Sequence, residues 1–355
     1  MKSQPAKPVP TPSLIPEEQM NAGIDRIHLI TAWLRRFAFA LVMLSTFLGM
    51  DVALSAGQES SPADMRSPKE GDDFLTRAFA ERAPINTTHL ERKWLDLPYA
   101  SISAAEKLDI YIPNQGDGPF PVIVAIHGGS FSKGDKRDFQ IVPILKAVDH
   151  GYAVVSINYR LTDEAKFPSQ IQDVKASIRW IRAHSRTYHL NPGAIALWGD
   201  SAGGYLSAFV GASAKDRALE DLKMGNPDER SDVSAVVDWY GPIDFSTMTR
   251  IKRMDGVGVR LFGKSANEAP ETYDLANPET HLTSEAPPIL IQHGDKDSLI
   301  PLSQSIEFAK NYQKIAGKDK VTLEIFAGAD HLDELFNSIE NVERIIRFLD
   351  KYLKK

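Results

Sequence analysis

The chain has 355 residues, 43% of them hydrophobic and 25% charged, which is enough for one large α/β domain with additional segments. Its formal net charge is −6, and no basic cluster is present to neutralise a run of phosphates, which argues against nucleic acid as a partner. Cysteine is absent, which removes disulfides, thiolate metal sites, a cysteine nucleophile and a lipidated N-terminal cysteine.

Residues 1–56 read as an N-terminal tail followed by a signal or anchor segment. The tail carries Pro5, Pro8, Pro10, Pro12 and Pro16. A basic stretch ends at Arg35-Arg36, and an uncharged run follows from Phe37 to Met50. That run is shorter than the ~20 residues a membrane-spanning helix needs. The small residues Ala53-Leu54-Ser55-Ala56 come next, so basic region, apolar region and small-residue site together form an export pattern. The expectation is an exported protein, periplasmic or extracellular, with retention as a membrane anchor through residues 37–50 as the alternative. The arginine pair matches twin-arginine export only loosely. Residues 57–91 are polar and turn-rich and read as a linker, weakly helical near Phe74–Ala83.

A regular pattern begins at about residue 92 and continues to the end of the chain. Apolar, β-branched runs are predicted as strands at Lys107–Ile112, Val122–Ile126, Ala153–Ile157, Ile195–Trp198, Val233–Trp239, Ile289–Gln292 and Val321–Phe326. Amphipathic stretches lie between most of them; Pro168–His184 sets Ile171, Val174, Ile178 and Ile181 on one face. Short, nearly all-apolar strands alternating with helices predict a mostly parallel, doubly wound sheet of about eight strands covered on both faces. Lys93–Tyr99 and Lys107–Ile112 have no helix between them and are predicted to form an antiparallel hairpin at the sheet edge.

Four segments fall at the carboxyl ends of predicted strands, where open α/β sheets gather functional groups. The first is Gly199-Asp200-Ser201-Ala202-Gly203, between a strand and the helical stretch Ala202–Ala214. A G-x-S-x-G pentapeptide there suits a sharp strand-to-helix turn that lifts the serine hydroxyl clear of the sheet. The second is His127-Gly128-Gly129-Ser130-Phe131. Its glycines let a loop turn amides toward the serine, so Gly129 and Ser130 from one side and Ala202 from the other are candidate oxyanion donors. Losing one such donor costs ~3 kcal/mol. His127 is expected to bond its own loop. The third is His293-Gly294-Asp295-Lys296-Asp297, and the fourth is His331 within Ala329-Asp330-His331.

A serine hydroxyl needs an imidazole to take its proton and a buried carboxylate to hold that imidazole in one tautomer. Ser201, His331 and Asp297 are the predicted nucleophile, base and acid. Asp297 is preferred over Asp295 because it lies further round the turn. It is preferred over Asp330 because that residue cannot easily bond its own neighbour's ring. The other histidines lie in the leader (His28), the linker (His89), on or after helices (His150, His184, His189) or in an insert (His281). No His-x-x-x-His pair, H-E-x-x-H pair or G-x-x-x-x-G-K-[ST] loop occurs, so no metal or organic cofactor is expected. Gly263-Lys264-Ser265 lacks the upstream glycine and strand of a phosphate loop.

The H-G-G-x-F loop and the G-D-S-A-G-G elbow, in this order and spacing, resemble the α/β-hydrolase superfamily. Within it they resemble the carboxylesterase and lipase branch, over about Arg92 to Leu353. Asn158-Tyr159-Arg160-Leu161, Phe167-Pro168, Asp173 and Asp238-Trp239-Tyr240-Gly241-Pro242 add likeness to bacterial feruloyl- and acetyl-xylan-type and hormone-sensitive-lipase-like esterases. The resemblance implies hydrolysis of small-molecule or polymer-attached carboxylic esters with short or medium acyl groups. Ser201, Asp297 and His331 would form the triad, and Gly129, Ser130 and Ala202 the oxyanion hole. An amidase, peptidase or aryl-formamidase is the first alternative, and a non-catalytic binding protein on the same scaffold the second. Ser130 departs from the glycine many relatives carry. The segment 244–281 is a predicted cap, and its Met248, Met254, Val257, Val259, Leu261 and Phe262 either line an apolar wall or pack the insert onto the core.

Overall fold

The computed structural model describes residues 13–14, 85–248 and 252–354, the side chains of 13–14 and 252–255 excepted. The chain divides into two compact units, Ser13–Met65 and the remainder, and of the first only the two-residue strand Ser13–Leu14 is described. The predicted tail, the export or anchor segment and most of the linker therefore lie outside the described residues. Among those described, no helix is long and apolar enough to cross a membrane.

In the second unit eight strands form one sheet: β1 (Lys93–Pro98), β2 (Lys107–Tyr111), β3 (Phe120–Ile126), β4 (Ala153–Ile157), β5 (Leu190–Asp200), β6 (Ala235–Trp239), β7 (Ile289–Gly294) and β8 (Val321–Phe326). Their order is β1-β2-β4-β3-β5-β6-β7-β8. The β1–β2 and β2–β4 pairs are antiparallel and all others parallel, which gives the expected edge hairpin and parallel body.

Alternation along each strand sorts side chains to the two faces. Val122, Val124 and Ile126 join one buried cluster with Ile171, Val174 and Ile178 of helix α2 (Ser169–Ala183); α1 is the short turn Val142–Leu145. Ile123 and Ala125 join another with Val342, Ile345 and Leu349 of α8 (Ile339–Leu353). Each fully buried aliphatic chain contributes roughly 1.5–3 kcal/mol. A third cluster sets Ile289 and Ile291 against Phe308 and Tyr312 of α7 (Ser303–Ala316).

Strand β5 is longer than the predicted Ile195–Trp198. Phe120 pairs with Leu190 and Val122 with Ile195, so Asn191-Pro192-Gly193 bulges out between two paired stretches. A proline and a glycine tolerated in a bulge read locally as a strand break.

The segment between β6 and β7 folds into α4 (Phe245–Met248), α5 (Lys252–Phe262), α6 (Pro270–Leu275) and a 3-10 turn, Pro278–His281. Met248, Val257, Leu261 and Phe262 belong to the same buried cluster as Phe131 and Tyr205, while Val259 is exposed. Those four residues pack the insert onto the core. The side chain of Met254 lies outside the described residues.

Candidate active site

The parallel register lines up the strand ends on one rim. Ile126 of β3 pairs with Gly199 of β5, Asp200 of β5 with Trp239 of β6, and Gly294 of β7 with Phe326 of β8. The four segments singled out in the sequence follow directly from these ends.

Ser201 sits at φ 52° and ψ −117°, a conformation that side chains seldom adopt, and α3 (Ala202–Ala212) starts at the next residue. Its N–H donates to the Trp239 carbonyl at 2.8 Å, and its carbonyl accepts from Tyr205 N–H at 3.0 Å, so both sides of the strained residue are tied down. The turn closes because Gly203 lies against β3: a Cβ there would meet the Ile126 carbonyl oxygen at 2.0 Å. The dipole and free amides at the start of α3 face the serine.

The loop after β3 turns on three successive left-handed residues, Gly129 (φ 111°), Ser130 (φ 53°) and Phe131 (φ 59°). A Cβ on Gly129 would lie 2.3 Å from the Lys133 carbonyl oxygen, which itself belongs to a turn closed on the Gly129 carbonyl. Phe131 is anchored in the core, edge-on to Tyr205 at 5.5 Å. Asp200 joins this loop to the elbow. Its carboxylate accepts from Gly128 N–H at 3.2 Å and from the Gln140 amide. Burial pushes the Asp200 carboxyl up to about 7, against the opposing pull of those donors. His127 donates from Nδ1 to the Gly128 carbonyl and stacks on Tyr159 at 4.4 Å. Burial holds its imidazole down at about 4, so it is a neutral ring bonded to its own loop, as expected.

On the far side of the serine, His331 Nε2 lies 3.0 Å from Ser201 Oγ, and His331 Nδ1 lies 2.8 Å from Asp297 Oδ2. Ser201, His331 and the side chain of Asp297 are buried and hydrogen-bonded in series. Asp297 Oδ1 accepts the N–H groups of Leu299 and Ile300 at 2.8 and 2.7 Å. Burial alone would raise the Asp297 carboxyl, but the imidazoles of His331 and His293 hold it well below the usual carboxylate range.

The rival carboxylates are spent elsewhere. Asp295 accepts from Gly328 N–H at 2.7 Å. Asp330 accepts from Ser298 N–H and His331 N–H, both at 2.7 Å, and so ties the acid loop to the base loop. His281 bonds the Leu275 carbonyl and Asp216, away from these residues. Among the described residues no group of histidines and carboxylates is arranged to hold a metal ion. Reasoning from sequence overlooked two contributors: Gln140, sixty residues from the Asp200 it bonds, and Ser305, which bonds His293 from α7. Neither stands in a motif, and only the fold brings them in.

An eight-stranded, mostly parallel sheet with a strained serine at one strand end, an acid after a later strand and a histidine after the last defines an α/β-hydrolase. Within that superfamily the chain belongs to the BD-FAE family, whose model matches residues 108–312, more than half its length. It is similar to "Probable carboxylic ester hydrolase LipM" of Mycobacterium tuberculosis (strain ATCC 25618 / H37Rv), 31% identical over 239 residues, 65% of this chain and 54% of that protein. It is also similar to "Esterase LipQ" of the same organism, 30% identical over 251 residues, 69% of this chain and 58% of that protein. The chain thus spans little more than half the length of these curated relatives. Among solved structures, a "Truncated form of carbohydrate esterase from gut microbiota" is 30% identical with a TM-score of 0.68, covering 77% of this chain and 100% of that one.

Proposed function

We propose that this protein is a serine hydrolase that cleaves carboxylic esters through an acyl-enzyme intermediate. One observation carries the reading: the Ser201 hydroxyl lies 3.0 Å from an imidazole nitrogen whose other nitrogen is 2.8 Å from a buried carboxylate. Ser201 Oγ attacks the ester carbonyl carbon and passes its proton to His331 Nε2. Asp297, held ionised, stabilises the imidazolium that results. The carbonyl oxygen gains the negative charge and is received by the amides of Ala202, Gly129 and Ser130. His331 then returns the proton to the departing alcohol. Water, deprotonated by the same ring, releases the acid and restores the serine.

Short to medium acyl groups are the acyl class to assay, as the resemblance of the oxyanion loop and elbow implies. Because a carbohydrate esterase is among the 30% identical relatives, acylated saccharides are the natural-substrate class to assay first.

The test is p-nitrophenol release from acetate and butyrate esters by the full chain, beside acetylated saccharides and matched anilides. Ester turnover is expected to exceed anilide turnover, and Ser201→Ala is expected to lower kcat on the order of 10⁴–10⁶-fold. Undiminished turnover by Ser201→Ala defeats the proposal, and faster anilide than ester cleavage replaces it with an amidase.

A further inference from the structure

The serine–histidine–aspartate series leaves a second imidazole unused. His293, the last residue but one of β7, is fully buried. Its Nε2 lies 3.3 Å from Asp297 Oδ2, the same oxygen that bonds His331, and 3.0 Å from the Ile300 carbonyl oxygen. Its Nδ1 lies 2.7 Å from Ser305 Oγ on α7.

The proton positions follow from the partners. A carboxylate and a carbonyl only accept, so Nε2 carries a hydrogen. Nδ1 of the neutral ring then accepts the Ser305 hydroxyl proton, which fixes the tautomer. Asp297 is left with four N–H neighbours: the amides of Leu299 and Ile300 on Oδ1 and two imidazoles on Oδ2. A carboxylate with that many donors cannot turn without breaking one of them.

We infer that His293, oriented by Ser305, is a positioning residue for Asp297, holding its carboxylate in the plane His331 requires and drawing off part of its charge. The inference rests on the serine-hydrolase reading above. The consequence for His331 has a definite sign. A carboxylate that also binds His293 attracts the His331 imidazolium less than a carboxylate left with its full charge. Removing His293 therefore strengthens the hold of Asp297 on that imidazolium. The titratable groups facing His293 are Asp297, Asp238 on β6, and Tyr240, whose ring lies 6.5 Å away; α7 presents the neutral Ser305.

The experiment compares the full chain with His293→Leu, His293→Gln, Ser305→Ala and Ser201→Ala on p-nitrophenyl butyrate, recording kcat, KM and kcat/KM against pH. In His293→Leu, kcat is expected to fall about tenfold, the loss of one charge-assisted hydrogen bond, with KM within about twofold. The acid limb of its kcat/KM profile should move up. His293→Gln keeps a donor where Nε2 stood and is expected to restore most of both. Ser305→Ala should move the limb the same way by less, and it carries the test if the leucine variant does not fold. The assignment is overturned if His293→Leu or Ser305→Ala keeps the parent profile. It is equally overturned if activity falls with the limb unmoved and glutamine does not rescue it, the signature of packing alone. An active Ser201→Ala would overturn the hydrolase reading instead, whereas an inert Ser201→Ala beside a normal His293→Leu removes only this assignment.

Discussion

The two sides of the Ser201 hydroxyl are built by different means. On the elbow and oxyanion side, geometry is set by backbone: left-handed residues at Gly129, Ser130, Phe131 and Ser201, and main chains packed closely enough that Gly203 has no room for a Cβ. On the acid–base side Gly328 and Leu332 are left-handed and Gly294 packs against the Ala329 carbonyl, but side chains add most of the positioning. Asp297 with His331 and Ser298 with Asp330 cross-link the loops after β7 and β8 by hydrogen bonds, and His293 braces Asp297 from β7. The first side will not accept an added atom, and the second depends in addition on its donors and acceptors.

Of the changes that set the two sides apart, the largest effect should come from a one-atom change on the acid–base side. Asp297→Asn keeps volume but replaces an acceptor-only group with one whose nitrogen donates. His331 then loses the partner that keeps the hydrogen on Nδ1 and the lone pair on the Nε2 that faces Ser201. Such a tautomer error costs on the order of 10⁴ in kcat. Steady-state kinetics on p-nitrophenyl butyrate check it, with circular dichroism expected to be unchanged. If kcat stays within tenfold of the parent, the side-chain account of this half fails.

A single methyl group probes the other half. Gly203→Ala puts a Cβ 2.0 Å from the Ile126 carbonyl oxygen, so β3, α3 or both must shift. Overpacking of this kind costs ~1–3 kcal/mol, or several degrees in Tm for a domain of this size. The displaced backbone leads straight into His127 and the oxyanion loop, so kcat should drop as well, by up to roughly a hundredfold for a shift near 1 Å. Thermal melts and kinetics on one preparation test both. Parent-like values for the pair would show that the elbow has slack the packing does not suggest.

This division explains what could be read without coordinates. Backbone geometry demands particular residue types at fixed spacing, so Gly199, Gly203 and the His127–Gly129 run announced the elbow and its facing loop. The strand pattern was visible for the same reason, because burial on both faces admits little but β-branched and aliphatic residues at Val122–Ile126 or Ala153–Ile157. Side-chain networks beyond Asp297 and His331 leave no such trace. Ser305 on His293 and Gln140 on Asp200 are ordinary polar residues in helical segments, meeting partners only because the sheet order brings them together. The apolar residues of the insert were ambiguous for a related reason: Met248, Leu261 and Phe262 give one pattern whether they line a wall or pack a core.

The smallest predicted effect separates the halves by the sign of a titration. Asp200, on the backbone side, has its carboxyl raised by burial from the ordinary 3.8 to about 7, whereas Asp297, on the other side, is lowered. Between pH 4 and 7 the folded state retains the Asp200 proton that the unfolded chain has already released. Stability attributable to Asp200 is therefore full at low pH and falls as pH rises through that window. Asp297 does the opposite: its contribution is present above its unfolded pKa and declines only as the solution becomes strongly acidic. Asp200→Asn removes the first titration and leaves the second. It also sets a donor against the Gln140 amide, so the informative quantity is slope rather than absolute stability. From pH 5 to 8 the variant's Tm should fall by a few degrees less than that of the parent. Asp238, raised by burial to about 6, keeps a residual slope of the same sign in both proteins. Parallel Tm–pH curves would mean that the Asp200 carboxylate is no harder to ionise inside the fold than outside it, and its link to Gly128 would then act without any charge cost.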